Sequence, residues 1–138
     1  MNRALIDTDI LSFYFKGDPV VIRNFEKYLI NFNIIEISII TYYEITSGLV
    51  YRNALKQLEL FRQFITENIV VPLTENSCKI SSEIYSELRL KGELIDDIDL
   101  LIAGIAIEND MTLVTNNANH FSRIPELKIE NWKTDLAQ

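Results

Sequence analysis

Two hydrophobic rhythms alternate along this chain: short unbroken apolar runs, and longer stretches with helical spacing. Ala4, Leu5 and Ile6 lead straight into Asp7-Thr8-Asp9, which predicts a buried strand ending at Asp7. A short helix capped by Asp9 is expected next, running through Phe15 and closed by Gly17. Asp18-Pro19 has the form of a helix start, and Val21, Ile22, Phe25, Tyr28 and Leu29 give that helix its buried stripe. The run 34–40 is rich in β-branched residues and almost continuously apolar, as a parallel strand covered on both faces is. Thr41 and Glu44 follow with capping-box spacing, opening a helix to about Arg52. Leu55, Leu58, Phe61, Phe64 and Ile65 mark a further helix that ends near Asn68. Residues 69–73 read as a third strand, with Pro72 indicating a sheet edge. Thr74 caps a long helix to about Lys91, with Gly92 at its end. Residues 112–115 form a fourth strand and 127–130 a short fifth, after which Trp132 is expected to pack down the tail.

The stretch 95–107 stands apart because a nearly continuous apolar helix opens with Asp96, Asp97 and Asp99. Ile98, Leu101, Ile102 and Ile105 supply its stripe, and Ala103 and Ala106 leave room above Asp99 for a metal ion or another acid. The structural alternative is capping, with Asp96 or Asp97 as N-cap and Asp99 stabilised by the helix dipole. Strands alternating with helices give an α/β three-layer sandwich with a mostly parallel five-stranded sheet. In such a sheet Asp7, Glu44 and Asn116 all arrive at the carboxyl edge of the strands, where ligands bind, and Asp99 returns towards it.

Composition narrows the setting. The chain has 138 residues, 48% of them hydrophobic, with only 4 Gly and 3 Pro, so one globular domain over 1–138 is expected. A single cysteine, Cys78, cannot form an internal disulfide, and an acid at position 7 interrupts any leader-like apolar run. A cytoplasmic protein with no membrane span is therefore expected. The net charge of -7 argues against nucleic acid as a default partner, unless bound cations neutralise the site. Carboxylates and an amide, without thiolate or clustered imidazole, favour Mg2+ or Mn2+ over zinc. Metal-assisted hydrolysis of a phosphodiester is the chemistry such a set suits.

Four segments, 5–11, 38–44, 98–103 and 113–117, together resemble the signature blocks of PIN domains. In size and in its ending the chain is most similar to VapC-type toxins of bacterial toxin–antitoxin pairs. The resemblance implies the sheet order 3-2-1-4-5 and a Mg2+-dependent endoribonuclease with Asp7, Glu44 and Asp99 as its acidic cluster. It further implies an RNA substrate, a cognate VapB-type antitoxin and a homodimer. By the same resemblance Asp7 and Asp99 hold the metal, while Glu44 orients the attacking water or completes the metal shell. The departure comes after the fourth strand. Many relatives carry a further acid there, and this chain has Asn116, Asn117, Asn119 and His120, with Asn116 the expected contributor. Local bases such as Lys16, Arg23, Arg52 and Lys56 are the candidates for RNA contact. Two alternatives stay open: a haloacid dehalogenase-like phosphatase with Asp7 as nucleophile, and a non-catalytic PIN-like binding module.

Overall fold

The computed structural model describes residues 2–134. Strands β1 (Ala4–Ile6), β2 (Glu36–Ser38), β3 (Ile69–Val71), β4 (Thr112–Val114) and β5 (Ile129–Glu130) form one sheet. Their order is β3-β2-β1-β4-β5 and every pairing is parallel. The helices are α1 (Thr8–Phe15), α2 (Pro19–Phe32), α3 (Ile39–Tyr51), α4 (Leu55–Glu67), α5 (Glu75–Leu90), α6 (Asp97–Glu108) and the short α7 (Ala118–Phe121). None of them is long and apolar enough to cross a membrane.

Strand alternation sends side chains to two separate cores. Ala4 and Ile6 join α1, α2 and α4 on one face; Leu5 and Leu113 join α5 and α6 on the other. Trp132 is fully buried in the first core, where it packs edge-on to Phe25 and donates its indole N–H to Glu130. The described end of the chain, through Thr134, is thereby held to the first core, and residues 135–138 lie outside the described residues.

Several boundaries differ from expectation, and the fourth and fifth strands are shorter than expected, ending at Val114 and confined to Ile129–Glu130. The second strand stops at Ser38, because the Ser38 hydroxyl accepts the Thr41 N–H at 3.0 Å and caps α3 two residues before the β-branched run ends. Thr41 is therefore inside the helix, and the Thr41–Glu44 capping box does not form. The first helix is capped by Asp7 and not by Asp9, since Asp7 is extended and accepts the Thr8 N–H. The third strand ends at Val71, before Pro72, although it does lie at the sheet edge. Asp96 occupies the N-cap position of α6 without a side-chain capping bond, so capping does not account for that acidic opening. Ile98 is exposed, and burial of α6 begins in earnest at Leu100.

Helices α5 and α6 touch at a residue that admits no side chain. A Cβ on Gly104 would lie 2.1 Å from Ser81 Oγ and 2.5 Å from the Ser77 carbonyl oxygen. Ser81 cannot swing away freely, because its hydroxyl donates to the Leu100 carbonyl at 2.7 Å. This contact sets the distance at which α6 passes under the sheet. Gly104→Ala should therefore cost about 1–3 kcal/mol through overpacking. Gly48, whose added Cβ would meet nothing closer than Arg52 at 3.4 Å, is the control. Gly48→Ala should be neutral or stabilise α3 by up to about 1 kcal/mol. Thermal melts of the two variants check the pair; equal Tm values would contradict the close-approach account.

Candidate functional site

Asp7 is the most constrained residue at the carboxyl edge of the sheet. Its N–H donates to the Val114 carbonyl at 2.9 Å, extending the β1–β4 ladder, and its own carbonyl accepts from Leu11 in the first turn of α1. One carboxylate oxygen accepts the Thr8 N–H and the other the Thr115 hydroxyl, both at 2.8 Å. The side chain is 7% exposed. Burial first, then the neighbouring Asp9 and Asp99, push its pKa up to about 7 against the pull of those hydrogen bonds.

Asp9 stands beside it in α1, accepting N–H bonds from Ile10 at 2.7 Å and from Asn116 at 3.0 Å. Burial raises its pKa, and Asp99 adds to the rise. Asp99 enters from the first turn of α6, half buried and raised by desolvation, with a hydrogen bond to His120 opposing the shift. Its Oδ2 lies 3.3 Å from Nδ1 of His120, and the Asn117 amide nitrogen lies 3.1 Å from the same ring nitrogen. One nitrogen cannot donate to Asp99 and accept from Asn117 at once, so these two contacts exchange with the proton.

Glu44 approaches from α3 through a chain of hydroxyls. Thr8 Oγ1 is 3.0 Å from Thr41 Oγ1 and 2.5 Å from a Glu44 carboxylate oxygen. Each hydroxyl carries one proton, so Thr8 donates to Glu44 and Thr41 donates to Thr8. With Ser38 holding the helix cap, Glu44 has no capping duty left.

The structure thus gathers Asp7 and Asp99, adds Asp9, and sets Glu44 one hydroxyl away. Asn116 is placed differently from expectation. Its side-chain carbonyl accepts from Asn131 at 2.9 Å, and its backbone N–H is what meets the cluster, through Asp9. Ala103 and Ala106 are fully buried in the second core and do not open space above Asp99. Thr8 and Thr115 were not expected as site residues, and His120, noted only among the residues after the fourth strand, lies against Asp99. The available signals were a buried hydroxyl ending the fourth strand and a lone histidine three residues after an asparagine.

These donors fit a hard divalent cation. The set is all oxygen, its charge is negative, and burial has already stripped part of its hydration. Among the described residues, no three His, Cys, Asp or Glu side chains are grouped closely enough to hold a metal ion together. Mg2+ is compatible with such an open arrangement, because it is usually held by one or two carboxylates and keeps several waters.

The raised Asp7 pKa has a thermodynamic consequence. The folded chain holds a proton that the unfolded chain releases near pH 4, so stability from this group is present at low pH and lost as pH rises through about 7. The full effect is on the order of 4 kcal/mol. In EDTA, Tm should be several degrees higher at pH 5 than at pH 8. Asp7→Asn should flatten that dependence and raise Tm at pH 8. The Asp18–Lys133 ion pair depresses the Asp18 pKa, so its titration lies below this window. Melting profiles of both proteins with the same pH slope would contradict the account.

Comparison with known proteins agrees with this geometry. The PIN domain family model matches residues 4–127. Ribonuclease VapC2 of Rickettsia felis is 33% identical over 93% of this chain and 96% of its own length. The tRNA(fMet)-specific endonuclease VapC of Salmonella typhimurium is 32% identical over 96% and 99%. The solved structure of Rickettsia felis VapBC2, bound to a DNA fragment from its promoter, superposes with a TM-score of 0.84 at 32% identity, covering 94% of this chain and 98% of that one. DNA-bound VapBC from Salmonella typhimurium gives 0.84 at 32% identity, covering 96% and 99%. The sheet order, the acidic edge and these matches over almost the whole sequence converge on one assignment: the chain belongs to the PIN domain family.

Proposed function

We propose that this chain is a Mg2+-dependent endoribonuclease, with Mn2+ as a substitute, and the toxin of a cytoplasmic toxin–antitoxin pair. The observation that supports it is the mutual electrostatic reach of Asp7, Asp9 and Asp99 at the sheet edge, with Glu44 linked through Thr8. The relatives' names, a VapC ribonuclease and a VapC endonuclease, support the same reaction class, and their VapBC complexes support an antitoxin partner. We further propose 1–138 as a single catalytic domain that works as a homodimer. PIN family membership leaves the phosphatase alternative without support.

In this reading Asp7 and Asp99 are the residues that hold the metal. A divalent cation held there would supply charge stabilisation for a phosphoryl oxygen and make water a stronger acid. The protein's part is positioning. Thr115 and the Thr8 N–H fix both oxygens of Asp7, so that the carboxylate presents one orientation. His120 does the same for one oxygen of Asp99. Glu44, held by the Thr41–Thr8 hydroxyl chain, orients a water or completes the ligand set. Asn116 acts through its backbone, by holding Asp9 beside Asp7.

Incubation of structured and unstructured RNAs with Mg2+ or EDTA tests the activity. Asp7→Asn and Asp99→Asn should each lower cleavage by about a hundredfold or more. Glu44→Gln should lower the rate with Tm unchanged, because Ser38 carries the cap. Mg2+ should raise the Tm of the unsubstituted protein by binding the native state, and this rise should shrink in Asp99→Asn. Full activity in excess EDTA, or an Asp99→Asn protein that still cuts, would remove the proposal. Expressed alone the active chain should be toxic; with its genomic neighbour it should be recovered in a complex.

A further inference from the structure

A cleft of about 390 Å³ leaves the site at Glu44 and runs between α1, α3 and α4. Thr8, Ser12, Phe15 and Lys16 form one wall, Glu44, Gly48 and Arg52 another. Leu60 and Phe61 of α4 close the far side. Two of these residues carry positive charge in a chain of net charge -7. Neither the Lys16 nor the Arg52 side chain makes an ion pair or hydrogen bond among the described residues. Arg3, Lys128 and Lys133 are matched with Glu36, Asp110 and Asp18; of the remaining bases, Lys16 and Arg52 are set apart by facing one cleft. Arg23 and Lys56, also candidates from the sequence, are not in the cleft. Phe15 is 42% exposed there, an aromatic ring left in water although Phe61 and Phe64 lie beside it.

Unpaired cations beside an open aromatic face are what a single-stranded nucleic acid requires: phosphates take the cations and an unstacked base takes the ring. A concave cleft admits a splayed-out base and not a stacked duplex. We propose that this cleft binds the unstacked nucleotide next to the scissile phosphodiester. Lys16 and Arg52 are its phosphate contacts and Phe15 is its stacking surface. The inference rests on the ribonuclease reading and adds to it a strand path and a preference for single-stranded RNA at the cut. Lys16 and Arg52 are positioning residues here; they hold the substrate and do not touch the reacting bond.

The test uses the full chain in two forms. Asp99→Asn, in EDTA, reports binding of a short single-stranded RNA of mixed sequence and of a hairpin of the same composition. The catalytically intact chain reports KM and kcat on the same RNAs with Mg2+. Adding Lys16→Gln and Arg52→Gln should reduce the slope of log Kd against log salt by about 1.4, roughly 0.7 for each single-strand phosphate contact. In the intact chain the pair should raise KM roughly fivefold or more and leave kcat within about twofold. Phe15→Leu keeps the apolar volume and should weaken single-stranded RNA more than the hairpin. Lys91→Gln, at the end of α5 on the other side of the sheet, should change none of these.

Unchanged salt slope and KM in a chain that still cuts RNA would overturn the strand path and leave the ribonuclease reading standing. A fall in kcat at constant KM would also overturn it, since the two cations would then act on the reacting atoms. The same holds if the substitutions abolish recovery of a protein partner but leave RNA binding intact, because the cleft would then be a protein-docking surface. No binding or cleavage by the unsubstituted chain would instead refute the ribonuclease reading itself.

Discussion

The burial of the Asp7 carboxylate is the constraint on which the site's architecture depends. A charge this far from water needs partners, and each partner fixes an element. The Thr115 hydroxyl fixes the end of β4, and the Thr8 N–H fixes the start of α1. The Asp7 N–H, bonded to Val114, locks the register in which Ile6 lies opposite Val114. These hydrogen bonds do not offset the burial and the nearby Asp9 and Asp99 carboxylates, and the pKa rises. The close contact of Gly104 with α5 carries the argument to the other core. It determines how near α6 lies, and hence that Asp99 reaches the same edge.

The alternation of apolar runs and helical stripes made the architecture legible, because the strands are short and the central ones, β1, β2 and β4, are buried on both faces. The sheet order was legible only through the resemblance to PIN domains, since periodicity carries no information about which strands pair. Local boundaries were decided by competition that composition does not reveal. Residues 34–40 are rich in β-branched side chains, yet the Ser38 hydroxyl ends the strand because it satisfies one of the first free N–H groups of the helix. Asp7 and Asp9 were equally plausible caps by type. The backbone chose Asp7, which is extended, and Asp9 was left available to the cluster. Hydroxyl partners such as Thr8 and Thr115 are illegible for a plainer reason: a threonine at a strand end has many uses, and only the fold shows which carboxylate it meets.

The same charges explain how an acidic protein can be read as one that handles RNA. Net charge describes the long-range field, and a field of this sign slows the approach of a polyanion. Recognition at contact is governed by the local arrangement. Here the acids are concentrated at the strand edge, where a divalent cation would offset them, and the unpaired cations Lys16 and Arg52 lie on the path that leads away. A uniformly basic surface would bind nucleic acid at many sites. Confining attraction to one cleft beside the carboxylates restricts productive contact to the place where chemistry is proposed.

The position after the fourth strand shows how the cluster tolerates its own repulsion. The resemblance to PIN domains implies an acid there, and this chain carries Asn116. An additional carboxylate at that point would be a further like charge beside groups whose pKa values burial has already raised. The asparagine removes that charge from the side chain, while its backbone N–H, which any residue would supply, steadies Asp9 at 3.0 Å. The carboxylate that neighbours Asp7 and Asp99 therefore comes from α1, two residues after Asp7, and not from the end of β4. Because Asp7 caps that helix and Asp9 lies in its first turn, both sit near the positive end of the helix dipole. A carboxylate placed there is less costly to ionise than one placed on the loop after β4, where no helix of comparable length begins. The cluster is thus acidic with its charge placed where the backbone supports it, at the start of α1.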